Sequence, residues 1–371
     1  MKEQAMCAQA RTVSRIRAAS RPPWFGNARG YSPRSPQPGV DLFLDANEGR
    51  PFESALERMA SMDGTSLARY PSFVELEASI ARFWKVDAGR VVCTAGGDEA
   101  IARVCATRLA PGAKALVFEP AFAMFGAYAR GRGAEVVALP WFDSDNFPLA
   151  EALETVRGCP SLGLVCLANP SNPTGAALGR TEAMSLARAC EEAGVAFLFD
   201  AAYAEFADDD PTGVVSTVES AYVVRTFSKA YGLAGLRVGY VLAPTCCEAD
   251  KLRAAGSPYP SSPLAAELAS TSLEDRDGLA GSVQRVLTER ADLFDVLTAS
   301  GARAVPSQAN FVFARVADAP GLVRALAERG IAIRGFEESP GLADAVRITC
   351  PGDERDYARL RDALQAVRRF L

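Results

Sequence analysis

Short apolar runs alternate with segments of helical spacing between about residues 60 and 245. Six runs are continuously apolar, as in strands that are buried on both faces: RVVCTA, KALVFEP, AEVVALP, LGLVCLANP, VAFLFD and AYVVRTF. Continuous apolar strands separated by helices are typical of a mostly parallel sheet with helices on both faces. We therefore predict an α/β fold with such a sheet in its large domain. In sheets of this kind, ligands bind beyond the C-terminal ends of the strands.

The pattern changes after residue 255. A proline-rich hinge, GSPYPSSP, precedes a long helical stretch that runs to about residue 299. The strand candidates ANFVFARV, IAIRGF and AVRITC follow, interleaved with GLVRALAERG and a closing helix near residues 353–370. This pattern predicts a smaller α+β domain over residues 256–371, and residues 41–59 contribute an N-terminal part to it. Residues 60–255 form the large domain of this prediction.

Residues 1–40 form a basic N-terminal arm. Seven basic residues and one acidic residue, Glu3, lie within residues 1–34. Like-charge runs at a terminus are typically solvated, which is the interpretation we favour. A weak targeting sequence or an oligomer contact are the alternatives.

Composition narrows the possible functions. The chain has 371 residues, 49% of them hydrophobic, and a formal net charge of −5, which argues against a nucleic-acid binder. No apolar run approaches the roughly 18 residues that a membrane span needs. The nine cysteines include no CxxC pair and predict a reducing, cytoplasmic compartment. Histidine is absent, which excludes Ser-His and Cys-His mechanisms, and we predict no metal site.

The loop TAGGDEA, residues 94–100, joins a predicted strand to a predicted helix. Its glycines, Gly96 and Gly97, let the backbone approach a ligand closely, and the first N–H groups of the helix suit a phosphate. The alternative is a plain helix start with Asp98 as its cap.

Two further polar motifs follow strand candidates. The segment NPSNPTG, residues 169–175, is rich in turn formers, and an amide such as that of Asn172 can donate to a ligand oxygen; the alternative is a simple turn. Asp200 ends the apolar run VAFLFD, where a carboxylate is costly unless it is paired. It either caps the next segment or faces a cation, and Tyr203 lies three residues later.

The stretch RTFSKAYGLAGLRVGY, residues 225–240, contains a single lysine, Lys229, after an apolar run. A lysine at a strand end in an enclosed site loses solvation, which lowers its pKa and frees the amine as nucleophile and base. The guanidinium of Arg237 suits a phosphate. Together with the preceding motifs, this set matches the needs of pyridoxal 5'-phosphate, whose aldehyde requires an amine and whose ring nitrogen requires a carboxylate.

Motifs along nearly the whole chain after the arm carry a family resemblance. They occur in this order: LDANEG, YPSFVELE, AGGDEA, PAFAMF, NPSNPTG, FDAAYAEF, RTFSKAYGLAGLRVGY, SQANFVFARV, IAIRGF and AVRITC. In these motifs the chain resembles the fold-type-I aminotransferases, most closely the histidinol-phosphate aminotransferase group. The resemblance implies an aspartate-aminotransferase-like fold and a pyridoxal-phosphate-dependent aminotransferase.

The resemblance also implies the roles of individual residues. Lys229 is the Schiff-base lysine and proton shuttle, and Asp200 pairs with the pyridinium nitrogen. The ring is contacted by Asn172, Tyr203 and Phe122. The phosphate is surrounded by Gly97, Asp98, Thr226, Ser228 and Arg237.

On the substrate side, the resemblance implies that Arg347 clamps the α-carboxylate, with Asn47 nearby. Arg334 either reads an anionic substrate tail or is a surface charge. Tyr70 reaches the cofactor of the neighbouring subunit, so the implied functional unit is a homodimer.

Three departures from the family pattern bear on the substrate. Phe122 and Phe125 stand where the family usually has tyrosines, and Ala201 where glutamate is common. The segment NEGRPF replaces the usual Asn-Glu-Asn-Pro opening in a loop that closes over the substrate.

We therefore predict ping-pong transfer of an amino group between an amino acid and a 2-oxo acid or phosphorylated ketone. A decarboxylase of the threonine-phosphate type and a tailoring aminotransferase in specialised biosynthesis are the nearest alternatives. A non-catalytic sensor or interaction module belongs to another class, and the arm is too short for a standard DNA-binding output domain.

Overall fold

A computed structural model describes residues 38–339 and 341–371. The basic arm predicted for residues 1–40 therefore lies outside the described residues, apart from its last three. The described chain contains a seven-stranded sheet and a five-stranded sheet. Together these sheets confirm the predicted fold class, an α/β large domain with a smaller α+β domain.

The seven-stranded sheet has the order β2-β8-β7-β6-β5-β3-β4. All neighbouring strands are parallel except β8, which runs antiparallel to β2 and β7. The bounds are β2 Val91–Thr94, β3 Lys114–Glu119, β4 Glu135–Pro140, β5 Leu162–Ala168, β6 Ala196–Asp200, β7 Ala221–Thr226 and β8 Gly239–Leu242. The six predicted strands are confirmed, and β8 was not predicted.

Helices cover both faces of this sheet, so adjacent residues of one strand belong to different cores. On β3, Leu116 and Phe118 pack in one core while Ala115 and Val117 pack in the other. The helices in this part of the chain are α1 Glu53–Ser61, α2 Val74–Trp84, α3 Gly96–Arg108, α4 Ala123–Gly131, α5 Leu149–Gly158, α6 Arg180–Glu192, α7 Thr212–Val215 and α8 Cys246–Ala254. Burial on both faces explains why most of these strands read as continuous apolar runs. Strand β4 is the exception: AEVVALP was predicted to be buried on both faces, but β4 lies at the sheet edge and its residues are half-buried or exposed.

The five-stranded sheet has the order β1-β11-β12-β10-β9. Its strands are β1 Leu42–Leu44, β9 Arg303–Val305, β10 Phe311–Arg315, β11 Ile331–Gly335 and β12 Ala345–Thr349. Its helical neighbours in sequence are α9 Pro263–Glu274, α10 Arg276–Ala299, α11 Ala319–Ala327 and α12 Glu354–Ala366. Strand β1 pairs in parallel with β11, so the start of the described chain joins elements from its C-terminal third. The domain boundaries themselves stay predictions.

A buried ion network lies beneath the end of β7. Arg225, only 4% exposed, donates to Glu205 at 2.6 Å, to Asp210 at 2.7 Å and to Thr212 at 2.9 Å. Its guanidinium also lies 4.9 Å from the ring of Trp84. Because Arg225 directly precedes Thr226, this network ties the segment after Tyr203 to the strand that leads into Lys229.

We predict that Arg225→Met lowers the free energy of unfolding by roughly 3–5 kcal/mol, because it leaves the buried carboxylate of Glu205 without its cation. The matched control is Arg180→Met. Arg180 pairs with Asp209 at 2.5 Å, but its side chain is 53% exposed. Exposed pairs contribute below about 1 kcal/mol. Urea unfolding of the three proteins checks this, and equal effects of the two substitutions would contradict it.

Candidate active site

Lys229 lies in the loop after β7, half-buried, at the C-terminal edge of the large sheet. Its Nζ donates to the backbone carbonyl of Ala46 at 2.9 Å. The same nitrogen lies 5.6 Å from the centroid of the Tyr203 ring. The amine is therefore held between the segment that follows β1 and the phenol of Tyr203.

Asp200 ends β6 and is 7% exposed. Its carboxyl accepts the N–H of Ala202 at 3.1 Å, and no residue of the described chain forms an ion pair with it. Burial raises the pKa of Asp200 to about 7, although the charge of Lys229 acts in the opposite direction. A buried carboxyl of this kind is stabilised in its charged form by a cationic partner.

Two amide groups lie beside the phenol oxygen of Tyr203. Nδ2 of Asn47 donates to it at 3.0 Å, and Nδ2 of Asn172 lies at 3.5 Å. The ring of Tyr203 packs edge-on against Phe311, with centroids 5.3 Å apart. Asn47 is 1% exposed, so it contacts Tyr203 from within the protein.

Arg347 reaches this group from β12. Its Nη1 donates to Oδ1 of Asn172 at 2.6 Å, and its Nη2 donates to the carbonyl of Asp45 at 2.6 Å. The guanidinium lies 5.3 Å from the ring of Phe311. Arg347 thus contacts the same N-terminal segment as Lys229, one residue earlier.

A second group of predicted residues surrounds the N-terminus of α3. Gly96 has a φ of +75°, and a Cβ there would lie 2.6 Å from Nη2 of Arg237. Arg237 in turn pairs with Asp98 at 3.2 Å. The N-cap of α3 is Ala95, whose N–H is accepted by Glu99 at 2.6 Å. The alternative interpretation of Asp98 as the helix cap is therefore wrong, because Asp98 lies inside the first turn.

Thr226 and Ser228 complete this second group. Oγ1 of Thr226 lies 2.9 Å from Oγ of Ser228 and accepts the Ser228 N–H at 3.1 Å. A Cβ on Gly97 would lie 3.9 Å from Cβ of Thr226. Two hydroxyls and one guanidinium thus lie beside the first N–H groups of α3, an arrangement that suits an anion.

Three other predicted residues, Phe122, Tyr70 and Arg334, are half-buried or exposed. Phe122 is half-buried and packs edge-on against Phe125, with centroids 6.1 Å apart. Tyr70 is 80% exposed and stacks on Tyr259 at 4.5 Å. Arg334 is exposed and lies opposite Arg347 in the pairing of β11 with β12.

Sequence reasoning missed two contributors to the site. One is the backbone of Asp45 and Ala46, whose carbonyls carry no side-chain signal. The other is Thr349, whose hydroxyl contacts Asn47. Thr349 lies two residues after Arg347 on β12, so strand alternation places both on one face and could have identified it.

Two kinds of feature are absent from residues 38–339 and 341–371. No group of three or more His, Cys, Asp or Glu side chains there could hold a metal ion. No helix there combines the length and apolarity that crossing a membrane requires.

Comparisons with known proteins identify relatives that cover most of the chain. Histidinol-phosphate aminotransferase of Roseiflexus castenholzii is 36% identical over 343 residues, covering 87% of this chain and 89% of that protein. The enzyme of the same name from Halorubrum lacusprofundi is 35% identical and covers 88% and 89%.

Solved structures agree with these relatives. Histidinol-phosphate aminotransferase from Sinorhizobium meliloti, solved in complex with pyridoxal-5'-phosphate, matches with a TM-score of 0.80 and 27% identity over 89% of this chain and 91% of that one. Aspartate aminotransferase from Thermus thermophilus shares the fold, with a TM-score of 0.72 and 23% identity over 90% and 92%.

The family model for aminotransferase class I and II matches residues 40–364, which includes every residue of the candidate site. Together with the relatives, this match confirms the resemblance drawn from the motifs. The chain belongs to the aminotransferase class I and II family.

Proposed function

We propose that this aminotransferase uses pyridoxal 5'-phosphate to move an amino group between an amino acid and a 2-oxo acid or phosphorylated ketone. The observation that carries the cofactor assignment is Asp200: a buried carboxyl, without an ion-pair partner among the described residues, close to Lys229. Asp200 would hold a protonated ring nitrogen, which would be the cationic partner of this carboxyl. The solved relative that contains pyridoxal-5'-phosphate supports the same assignment.

The remaining groups fit the cofactor from two sides. The phosphate would be held at the N-terminus of α3, by the backbone near Gly97 and by Thr226, Ser228 and Arg237. Asp98 contributes there by pairing with Arg237. The ring would be held by Asn172 and Tyr203 at its oxygen, with Phe122 against its face.

When bound, the cofactor supplies an aldehyde that condenses with amines and a ring that accepts the electrons of a carbanion. Lys229 would hold the cofactor through its aldehyde until the amino donor takes its place. The freed Nζ of Lys229 would then take the α-proton of the donor as a general base and give it back as a general acid. Asp200 would keep the ring nitrogen protonated during this transfer. Release of the keto acid would consume one water and leave the amino group behind for the second substrate, so we expect ping-pong kinetics.

Arg347 is the proposed partner of the substrate α-carboxylate, because its planar guanidinium offers paired donors. Its hydrogen bonds to the Asp45 carbonyl and to Asn172 support this assignment, because Asn172 also lies beside Tyr203. Asn47 lies beside this position. The relatives' name, histidinol-phosphate aminotransferase, suggests a phosphorylated substrate tail, and Arg334 is the candidate to read it.

The proposed functional unit is a homodimer in which Tyr70 reaches the partner's cofactor. Support comes from exposed apolar side chains near Tyr70: Leu67 is 69% exposed and Val74 70% exposed. Burying such side chains against a second copy is favourable. A cytoplasmic location stays a prediction from the cysteine pattern, as does the absence of nucleic-acid partners from the charge.

We predict that one amino donor, added without any keto acceptor, changes the visible absorption of the cofactor-loaded protein. Each active site should react once and then stop. The reason is that transamination stores the amino group on the protein between its two halves. A screen of donors by absorption spectroscopy checks this. Persistence of the absorption with every donor contradicts transamination, and release of carbon dioxide indicates decarboxylation instead.

We predict that Lys229→Ala lowers kcat by at least about 10³-fold, because it removes both the proton carrier and the amine that holds the cofactor. Borohydride reduction followed by mass spectrometry should find a pyridoxyl group on Lys229 in the unaltered protein and none in the variant. Lys251→Ala is the control, since Lys251 is an exposed lysine that pairs with Glu248 on α8. Unchanged turnover in Lys229→Ala would rule out the proposed mechanism.

We predict that Asp200→Asn stabilises the cofactor-free protein at pH 8 by roughly 2–4 kcal/mol and has little effect near pH 4. The folded pKa of Asp200 is about 7, above its unfolded value of about 3.9, so folding favours the protonated form. The contribution of this group to the free energy of unfolding is complete at low pH and is lost as the pH rises through 7. Urea unfolding between pH 4 and 8 measures it, and parallel curves for the two proteins would contradict the burial argument.

A further inference from the structure

Strand β12 holds two polar side chains toward the site, Arg347 and Thr349. They lie two residues apart, so both point to the same face of the strand. Across the ladder they lie opposite Phe313 and Phe311 of β10, respectively. Both are buried, Arg347 to 7% exposure and Thr349 to 1%. Strand β12 is therefore a single rigid element that carries two hydrogen-bonding groups into the site.

The hydroxyl of Thr349 makes two hydrogen bonds to one residue. It accepts the N–H of Asn47 at 3.1 Å and donates to Oδ1 of Asn47 at 3.0 Å. Asn47 has a φ of +56°, in the left-handed region that few residues other than glycine adopt. Its carbonyl accepts from Nδ2 of Asn310 at 3.3 Å. Both the backbone and the side chain of Asn47 are thus fixed by Thr349 at the end of β12 and by Asn310 just before β10.

This fixation decides which end of the Asn47 amide faces Tyr203. With Oδ1 engaged by the hydroxyl of Thr349, Nδ2 points at the phenol oxygen and donates to it at 3.0 Å. The amide of Asn172 is oriented in the same manner, because its Oδ1 accepts from Arg347 at 2.6 Å and its Nδ2 lies 3.5 Å from the phenol oxygen. Each amide beside Tyr203 is therefore held by a different residue of β12.

The consequence concerns the proton of the phenol. A tyrosine hydroxyl has one donor and two acceptor sites, and here the amides occupy the acceptor sites. The shorter contact is that of Asn47, at 3.0 Å, and Asn172 lies at 3.5 Å, so both amides present N–H groups and the O–H of Tyr203 is left to donate to a third group. If the Asn47 amide turned over, its carbonyl oxygen would face Tyr203 and take that proton.

We propose that Thr349 is a positioning residue for Tyr203, acting through the Asn47 amide so that the phenol keeps its proton for the bound ligand. The inference rests on the proposed function, in which that ligand atom is the ring oxygen of pyridoxal 5'-phosphate. Thr349 touches neither the cofactor nor the substrate in this scheme. The charged groups nearest this arrangement are Lys229, whose Nζ lies 5.6 Å from the Tyr203 ring centroid, and Arg347, which donates to Asn172. Neither contact involves the hydroxyl of Thr349, so we expect both to survive its removal.

The test compares Thr349→Val, which removes the hydroxyl at constant shape, with Thr349→Ser, which keeps it. The readout is the pH midpoint of the visible absorption of the cofactor-loaded protein. When the ring oxygen loses a hydrogen-bond donor, its anionic form becomes less stable. The cofactor therefore keeps its titrating proton to a higher pH. We expect Thr349→Val to raise the midpoint by about one pH unit, the worth of one hydrogen bond to a charged group. Thr349→Ser should titrate like the unaltered protein.

Tyr203→Phe separates positioning from a purely structural effect. It should raise the midpoint by itself, and Thr349→Val should add nothing in that background, because the two changes remove the same donor. Equal midpoints for Thr349→Val and the unaltered protein, or a full shift by Thr349→Val in the Tyr203→Phe background, would overturn the proposal. Thr349→Ala replaces Thr349→Val if the latter does not fold.

The same experiment distinguishes this proposal from the proposed function. If the unaltered protein acquires no visible absorption from pyridoxal 5'-phosphate, the cofactor assignment fails before any variant is compared. If it does, and only the Thr349→Val shift is missing, the function stands and the role of Thr349 is overturned.

Discussion

Two cations from different sheets share one short stretch of backbone. Arg347, from the small sheet, donates to the carbonyl of Asp45, and Lys229, from the edge of the large sheet, donates to the carbonyl of Ala46. These hydrogen bonds require the segment after β1 to lie close to the turn that carries Lys229. Gly49 allows this, because a Cβ at that position would overlap the carbonyl oxygen of Lys229. The position of the site between the two sheets therefore depends on this N-terminal crossing.

The crossing also gives a physical account of the departure NEGRPF from the family pattern. Glycine at position 49 lets the segment pack on the turn that carries Lys229, and Gly232 in that turn similarly has no room for a side chain beside Arg50. The side chain of Arg50 points away and pairs with Asp353 and Asp356 before and within α12. The altered loop is thus attached to the small sheet's last helix and pressed against the lysine turn at the same time.

Much of the fold could be predicted because burial leaves a direct trace in the sequence. Strands covered on both faces read as apolar runs, and the polar residues that end them, such as Asp200, lie at the ligand-binding edge. Strand β8 was missed because its four residues, GYVL, are too few to have a distinctive pattern. Arg225 was missed as a structural residue, although a charge inside the apolar run AYVVRTF signals a buried ion pair. Contacts to Asp45 and Ala46 could not be predicted, since carbonyl groups are common to all residues.

The carboxyl of Asp200 has a consequence for the life of the protein in a cell. A buried group that opposes folding at neutral pH lowers the stability of the cofactor-free protein. A ligand that binds only the folded state raises that stability by mass action. Proteases and chaperones act on the unfolded fraction. If Asp200 receives the ring nitrogen as proposed, the abundance of this protein should follow the supply of vitamin B6 in the cell.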